Sequence, residues 1–152
     1  MSMRNKRIKK ELIELIKYNV VLEDNWEIKE DIHIIFVYKT EKLSMIINNK
    51  YPFVPPKLYI NKDEMRIDYI DWFLKDKKNY EEIKNVFNIK VPCICCTTIS
   101  CLWAPTMNIE NVIKEFIEYY EEYNKLKQMK ELYNKIPKFD NLIYNHIFEF
   151  LY

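Results

Sequence analysis

This chain of 152 residues contains no glycine. That absence limits the fold more than any motif does. Glycine enters the left-handed backbone region without steric cost. Here each tight turn falls instead to Asn, Asp, Lys or Pro, with Asn the best of them at positive φ. The same absence excludes a P-loop and a Rossmann glycine fingerprint, since both use glycine to bring backbone close to phosphate.

The remaining composition fits one soluble domain of ordinary size, with 49% hydrophobic and 31% charged residues. A formal net charge of +1 provides no global field towards nucleic acid or membrane, and neither is expected as a partner. The opening residues are charged and helical in pattern, unlike a signal peptide, and no run is long enough to span a bilayer. A cytoplasmic or nuclear, intracellular protein with reduced cysteines is the expectation. Richness in Ile, Lys, Asn and Tyr suggests an AT-rich genome, such as that of a large DNA virus or an intracellular parasite.

Hydrophobic periodicity orders the chain. Ile8, Leu12, Leu15 and Ile16 fall on one face of an opening amphipathic helix. "YNVVLEDNWEIKED" then reads as a short strand, a turn at Glu23–Asn25 and more extended chain, and "DIHIIFVYKT" and "EKLSMIINN" as strands joined by a hairpin turn at Lys39, Thr40 and Glu41. "YPFVPP" has too many prolines for a central strand and is expected as a stiff extended segment after the meander. "KLYI" fits a last short strand. Met65, Ile67, Ile70, Phe73 and Leu74 suit one helix, and Tyr80, Ile83, Val86 and Phe87 a second. The strongest signal is Ile109, Val112, Ile113, Phe116, Tyr120, Tyr123 and Leu126, a long amphipathic helix capped by Thr106 or Asn108 and ended by Pro137. In the run "EYYEEY" the acids should face solvent and the tyrosines should pack. Asp140 caps a last helix that packs back or docks a partner. Strands and helices in blocks give an α+β class: an N-terminal helix, an antiparallel β-meander of three to four strands, a Pro-rich extended segment and long C-terminal helices.

All four cysteines lie between positions 93 and 101, as C-x-C-C-x4-C. Four readings stand open. One cysteine is a nucleophile and the other three are small core residues; Cys93, Cys95 or Cys96, and Cys101 hold a structural zinc; two form a disulfide; or all four pack in the core. The spacing is not the usual pair of zinc knuckles, and neither His33 nor His146 is close in sequence. No resident metal or cofactor is expected.

Four stretches together resemble the ubiquitin-conjugating enzyme family. "RIKKEL" is similar to its opening-helix pattern R-I-x-K-E-L. "LSMIINNKYPFVPPKL" is similar to its strand followed by Y-P-F-x-P-P-K-V. "ICCTTISCLWAPTMNI" stands beside I-C-L-D-I-L-x-x-x-W-S-P-A-L-T-I, with Ile94, Cys95, Trp103, Pro105 and Ile109 in register. The long helix after Ile109 is the fourth. With the resemblance, which covers roughly residues 4–123 except 63–90, a UBC-like domain is expected over 1–137 with an inserted segment at about 63–90, followed by the C-terminal helix over 138–152 that packs on the domain or docks a partner. It implies Cys95 as the residue that carries ubiquitin or a ubiquitin-like modifier as a thioester. A thiolate suits that step because it is a strong nucleophile and forms a thioester readily passed to an amine. It implies Arg7 and Lys10 as contacts for the activating enzyme, and Phe53, Ala104, Pro105 and Thr106 as contacts for a ubiquitin ligase.

Two departures accompany the resemblance. The family's H-P-N motif, whose asparagine stabilises the oxyanion, has no counterpart here. Asn88 and Asn85 are the nearest amides before Cys95. A well-placed amide donor contributes about 2.7–4 kcal/mol to such a step. The stretch between "YPFVPP" and Cys95 is also longer than the family norm. The same fold without chemistry would serve as an adaptor for ubiquitin or a ligase.

Overall fold

The computed structural model describes residues 2–18, 21–23, 31–77, 80–81, 84–85, 88, 98–135 and 149. The chain opens on helix α1 (Met3–Glu14), capped by the Ser2 hydroxyl, which accepts from the Asn5 N–H. A 3₁₀ turn (Leu15–Tyr18) tightens its end. Ile8, Leu12 and Leu15 are buried as the periodicity requires, but the tighter turn rotates Ile16 out to 67% exposure.

Among the described residues five strands then form one antiparallel sheet in sequence order: β1 (Val21–Glu23), β2 (Ile32–Tyr38), β3 (Glu41–Ile47), β4 (Lys57–Lys62) and β5 (Met65–Asp68). Register places Ile34 opposite Met45 and Met45 opposite Leu58, so one face carries the buried β-branched and aliphatic side chains. The meander is therefore one strand longer than the three to four expected. Met65 and Ile67 belong to β5 and not to a helix, because the chain reverses at Asp63 and Glu64 and pairs back on β4. Asp68 then caps helix α2 (Tyr69–Lys77) by accepting from the Ile70 N–H at 2.9 Å.

With no glycine available, both two-residue hairpin connections place another residue at positive φ: Lys39 at 52° and Asp63 at 54°. Asn88 adopts 50°. The proline-rich run lies inside the meander, between β3 and β4, and turns where a purely extended segment was expected. The N–H groups of Tyr51 and Phe53 donate to the carbonyls of Asn48 and Lys50, and the Tyr51–Pro52 peptide is cis.

The long helix α3 (Ile109–Lys135) begins at a reciprocal cap, in which Asn108 and Asn111 each accept the other's backbone N–H through the side-chain oxygen. Its inner face, with Val112, Phe116, Tyr119 and Tyr123, packs with α1, α2 and the sheet into one core. Tyr38, Tyr69, Phe73 and Phe116 meet there edge-on, and each fully buried ring contributes about 1.5–3 kcal/mol. In the acidic run Glu118 is exposed while Tyr119 and Tyr123 are buried. Of the expected helix over 138–152 only Glu149 is described, and it is helical and exposed; its cap at Asp140, the stop at Pro137, and Ile83, Val86 and Phe87 lie outside the described residues. Among the described residues no helix is long and apolar enough to cross a membrane.

Candidate functional site

From the end of the cysteine run to α3 the chain makes a loop over residues 98–108, which includes Cys101. It has no helix or strand of its own, yet it is fastened at its start, its middle and its end.

The start is held by Glu115 of α3. Its carboxylate accepts the Ile99 N–H at 2.8 Å on one oxygen and the Tyr69 hydroxyl on the other. Thr98, beside it, is buried, and its carbonyl accepts from the N–H groups of Cys101 and Leu102, both at 3.0 Å. In the middle, the indole N–H of Trp103 donates to the Pro52 carbonyl at 2.7 Å, and its ring lies 6.1 Å from that of Tyr51. At the end, Glu11 of α1 accepts from the Ile109 N–H at 3.0 Å, from the Tyr51 hydroxyl, and from Arg7 Nε at 2.6 Å. Arg7 Nη2 donates to the Met107 carbonyl at 2.7 Å, and the guanidinium lies 5.3 Å from the Tyr51 ring centre. The Glu11 carboxylate also faces the positive N-terminal end of α3, a favourable place for an anion.

Electrostatics separate the two carboxylates. Glu11 and Glu115 are 6% and 8% exposed. Glu11 has Arg7 as a counter-ion. The Glu115 carboxyl is pushed up by burial and by the charge of Glu118, against the hydrogen bonds from Tyr69 and Ile99 that pull it down. Both tyrosine hydroxyls are pushed well up, first by burial and then by their carboxylate partners.

The fastened loop stands beside the proline-rich turn, because Trp103 is bonded to the residue next to Phe53. Phe53 is 77% exposed and Leu102 55% exposed. Pro105 and Thr106 are exposed and Ala104 is half-buried. These residues, distant in sequence, lie on the two loops that the Trp103–Pro52 hydrogen bond joins, and they are the candidate surface. Isolated exposed apolar residues are ordinary; exposed ones on two joined loops make a candidate site for a partner.

The other expected site residues fall out as follows. Arg7 directs its donors inward, to Glu11 and Met107, while Lys10 is exposed. Asn85 and Asn88 are both exposed. Cys95 lies outside the described residues, as do Cys93 and Cys96. Cys101 corrects one expectation: it is an exposed free thiol and not a packing residue, because Thr98 turns the chain outward there. Among the described residues no group of His, Cys, Asp and Glu side chains is arranged to hold a metal ion. His33 is exposed on β2, and His146 lies outside the described residues.

Glu11, Tyr51, Tyr69 and Glu115 were not singled out in the sequence. A signal was present: Glu11 shares a helix face with Ile8, Leu12 and Leu15, and Glu115 with Val112, Phe116 and Tyr119. An acid on an apolar stripe implies a buried acceptor with donors to satisfy. Comparison of the chain with protein-family models, with curated proteins and with solved structures finds no match.

Proposed function

We propose that the protein is a divergent member of the UBC-like fold that carries ubiquitin or a ubiquitin-like modifier as a thioester on Cys95. The observation that supports this reading is the Trp103–Pro52 hydrogen bond. It joins two of the stretches that resemble ubiquitin-conjugating enzymes, and Arg7 ties the opening helix, a third, to the same loop.

In the proposed chemistry the Cys95 thiolate attacks the modifier's C-terminal carbonyl while it is held as a thioester on the activating enzyme. The new C–S bond forms as the activating enzyme's thiolate leaves. A lysine amine then attacks the Cys95 thioester, loses its proton, and expels the Cys95 thiolate as the isopeptide bond forms. Asn88 and Asn85 are the candidate oxyanion donors in the absence of H-P-N. Arg7 and Lys10 would meet the activating enzyme, and Phe53, Ala104, Pro105 and Thr106 a ubiquitin ligase.

Incubation with ubiquitin, activating enzyme and ATP tests the reading. A reductant-sensitive adduct should form on the protein and be lost in Cys95→Ala. No adduct, where a control conjugating enzyme charges, overturns it.

A second reading is a UBC-like adaptor that binds ubiquitin or a ligase without chemistry. The exposed Phe53 and Leu102 beside a fastened loop favour it, since a docking surface needs no thiol. Binding that survives Cys95→Ala and fails in Phe53→Ala or Pro105→Ala would support it. Binding lost in Cys95→Ala would exclude it.

A further inference from the structure

We propose that Glu115 is a positioning residue for the docking loop: by holding Ile99 it sets where Leu102, Pro105 and Thr106 stand against Phe53. The inference rests on the docking role proposed above for that loop.

The position of Glu115 argues for a task other than core packing. It faces inward on α3, beside Phe116, where the rings of Tyr69, Phe73 and Tyr119 also gather. A carboxylate there loses its hydration, and an apolar side chain of similar volume would fill the space without that cost. What the carboxylate has and an apolar residue lacks is a pair of acceptors aimed in different directions. One takes the Tyr69 hydroxyl of α2, and the other takes the N–H of Ile99. Ile99 is the last fastened point before the chain turns. Beyond it the Thr98 carbonyl gathers the N–H groups of Cys101 and Leu102, and this turn delivers Trp103 to Pro52. Release of Ile99 frees the loop at its start while Glu11, Arg7 and Tyr51 still hold its end. The loop would then pivot, and Leu102 and Pro105 would lose their fixed relation to Phe53.

This role predicts that loop order and global stability separate. The full chain is compared in three forms: wild type, Glu115→Gln, and Glu115→Leu combined with Tyr69→Phe. Glutamine keeps an oxygen acceptor for Ile99. The double variant removes that acceptor together with the hydroxyl that would otherwise be left buried. Hydrogen exchange is measured at the Ile99 and Leu102 amides and at the Trp103 indole N–H, with thermal unfolding and ubiquitin charging followed in parallel. Expected is at least tenfold faster exchange at these three sites in the double variant. The thermal midpoint is not lowered, β2 to β4 exchange as in wild type, and Glu115→Gln stays within about threefold of wild type. Unchanged exchange at Ile99 in the double variant overturns the proposal. So does acceleration spread evenly over the sheet with a fall in midpoint, because Glu115 would then be only a core residue. Charging is read separately: a wild-type chain that does not charge sinks the thioester reading and leaves the exchange result to decide this one.

Discussion

Trp103 and Pro52 are joined by one hydrogen bond, 2.7 Å from the indole nitrogen to the carbonyl oxygen. With the Tyr51–Trp103 ring contact it joins the loop over residues 98–108 to the proline-rich turn. Trp103→Phe keeps most of the ring contact with Tyr51 but leaves the Pro52 carbonyl without its donor. The expected loss is about 0.5–1.5 kcal/mol, the usual worth of a neutral hydrogen bond. Denaturant unfolding should show a lower midpoint at an unchanged slope. An unchanged midpoint would mean that ring packing alone holds the loops together.

A larger effect is expected at Glu11. Its carboxylate serves three donors, from Arg7, Tyr51 and Ile109. Glu11→Leu leaves the Tyr51 hydroxyl and the Ile109 N–H unsatisfied in a buried setting and removes the counter-ion of the partly exposed Arg7. Each buried donor left without its acceptor costs about 1–3 kcal/mol. Arg7→Met in the Glu11→Leu background should recover part of that loss, because the stranded charge is gone. A double-mutant cycle on unfolding free energies measures the coupling. Strictly additive losses would contradict the network.

The acid side of the stability profile should depend on Glu110. Its carboxyl is held down at about 2, first by the hydrogen bond from Lys17 and then by that from Tyr18. A depressed carboxyl contributes stability that is present above its unfolded value of 4.5 and lost as pH falls towards 2. Glu110→Gln should therefore flatten the stability curve between about pH 2 and 4.5, with the difference from wild type growing as pH rises through that window. Glu115 acts in the opposite sense. Its carboxyl is raised by burial and by Glu118, so its contribution favours the fold at low pH and is lost as pH rises through the folded value. Unfolding of Glu110→Gln below pH 4.5 and of Glu115→Gln above it separates the two, since their pH slopes relative to wild type should differ in sign.

Much of the fold was legible because it rests on local periodicity. Ile8, Leu12 and Leu15 announced α1, and Val112 and Phe116 announced α3, since a 3.6-residue repeat of apolar side chains has little else to form. Asn108 was readable as a cap for the same local reason. The fifth strand was not: Met65 and Ile67 also fit a helical face continuing to Phe73, and what decides between them is pairing of β5 with β4, a contact between separate segments. Ile16 was misjudged because the change to a 3₁₀ turn at Leu15 alters the period itself. In the candidate site, Phe53 and Pro105 were visible through the resemblance. Their fastening was hidden, because its acceptors and donors are largely backbone groups. No side-chain pattern marks the Ile99 N–H as a partner for Glu115, or the Pro52 carbonyl as one for Trp103.

The glycine-free hairpins provide a test at the level of backbone alone. Asp63 holds φ at 54° in the turn between β4 and β5, a region that disfavours side chains with a Cβ. Left-handed backbone costs an ordinary L-residue about 1–2 kcal/mol, and aspartate is among the more tolerant. Asp63→Gly should raise stability by about 0.5 kcal/mol, and Asp63→Val should lower it by about 1–2 kcal/mol. Thermal or chemical unfolding reads both. A valine variant as stable as wild type would show that the turn does not need the left-handed conformation.

Docking and folding should come apart at Phe53. At 77% exposure its ring contributes little to the core, so Phe53→Ala should change unfolding free energy by no more than about 0.5 kcal/mol. If the surface made by Phe53, Leu102 and Pro105 meets a partner, that substitution removes a central apolar contact, and such contacts can cost 2 kcal/mol or more, about thirtyfold in affinity. Pulldown or titration with ubiquitin and with ubiquitin-ligase domains, using wild type, Phe53→Ala and Cys95→Ala, distinguishes three outcomes. Loss only in Phe53→Ala supports docking through the fastened loop. Loss only in Cys95→Ala moves the contact to the thiol. Binding retained in both removes this surface from the interaction, and Phe53 would then join the exposed apolar residues that any protein carries.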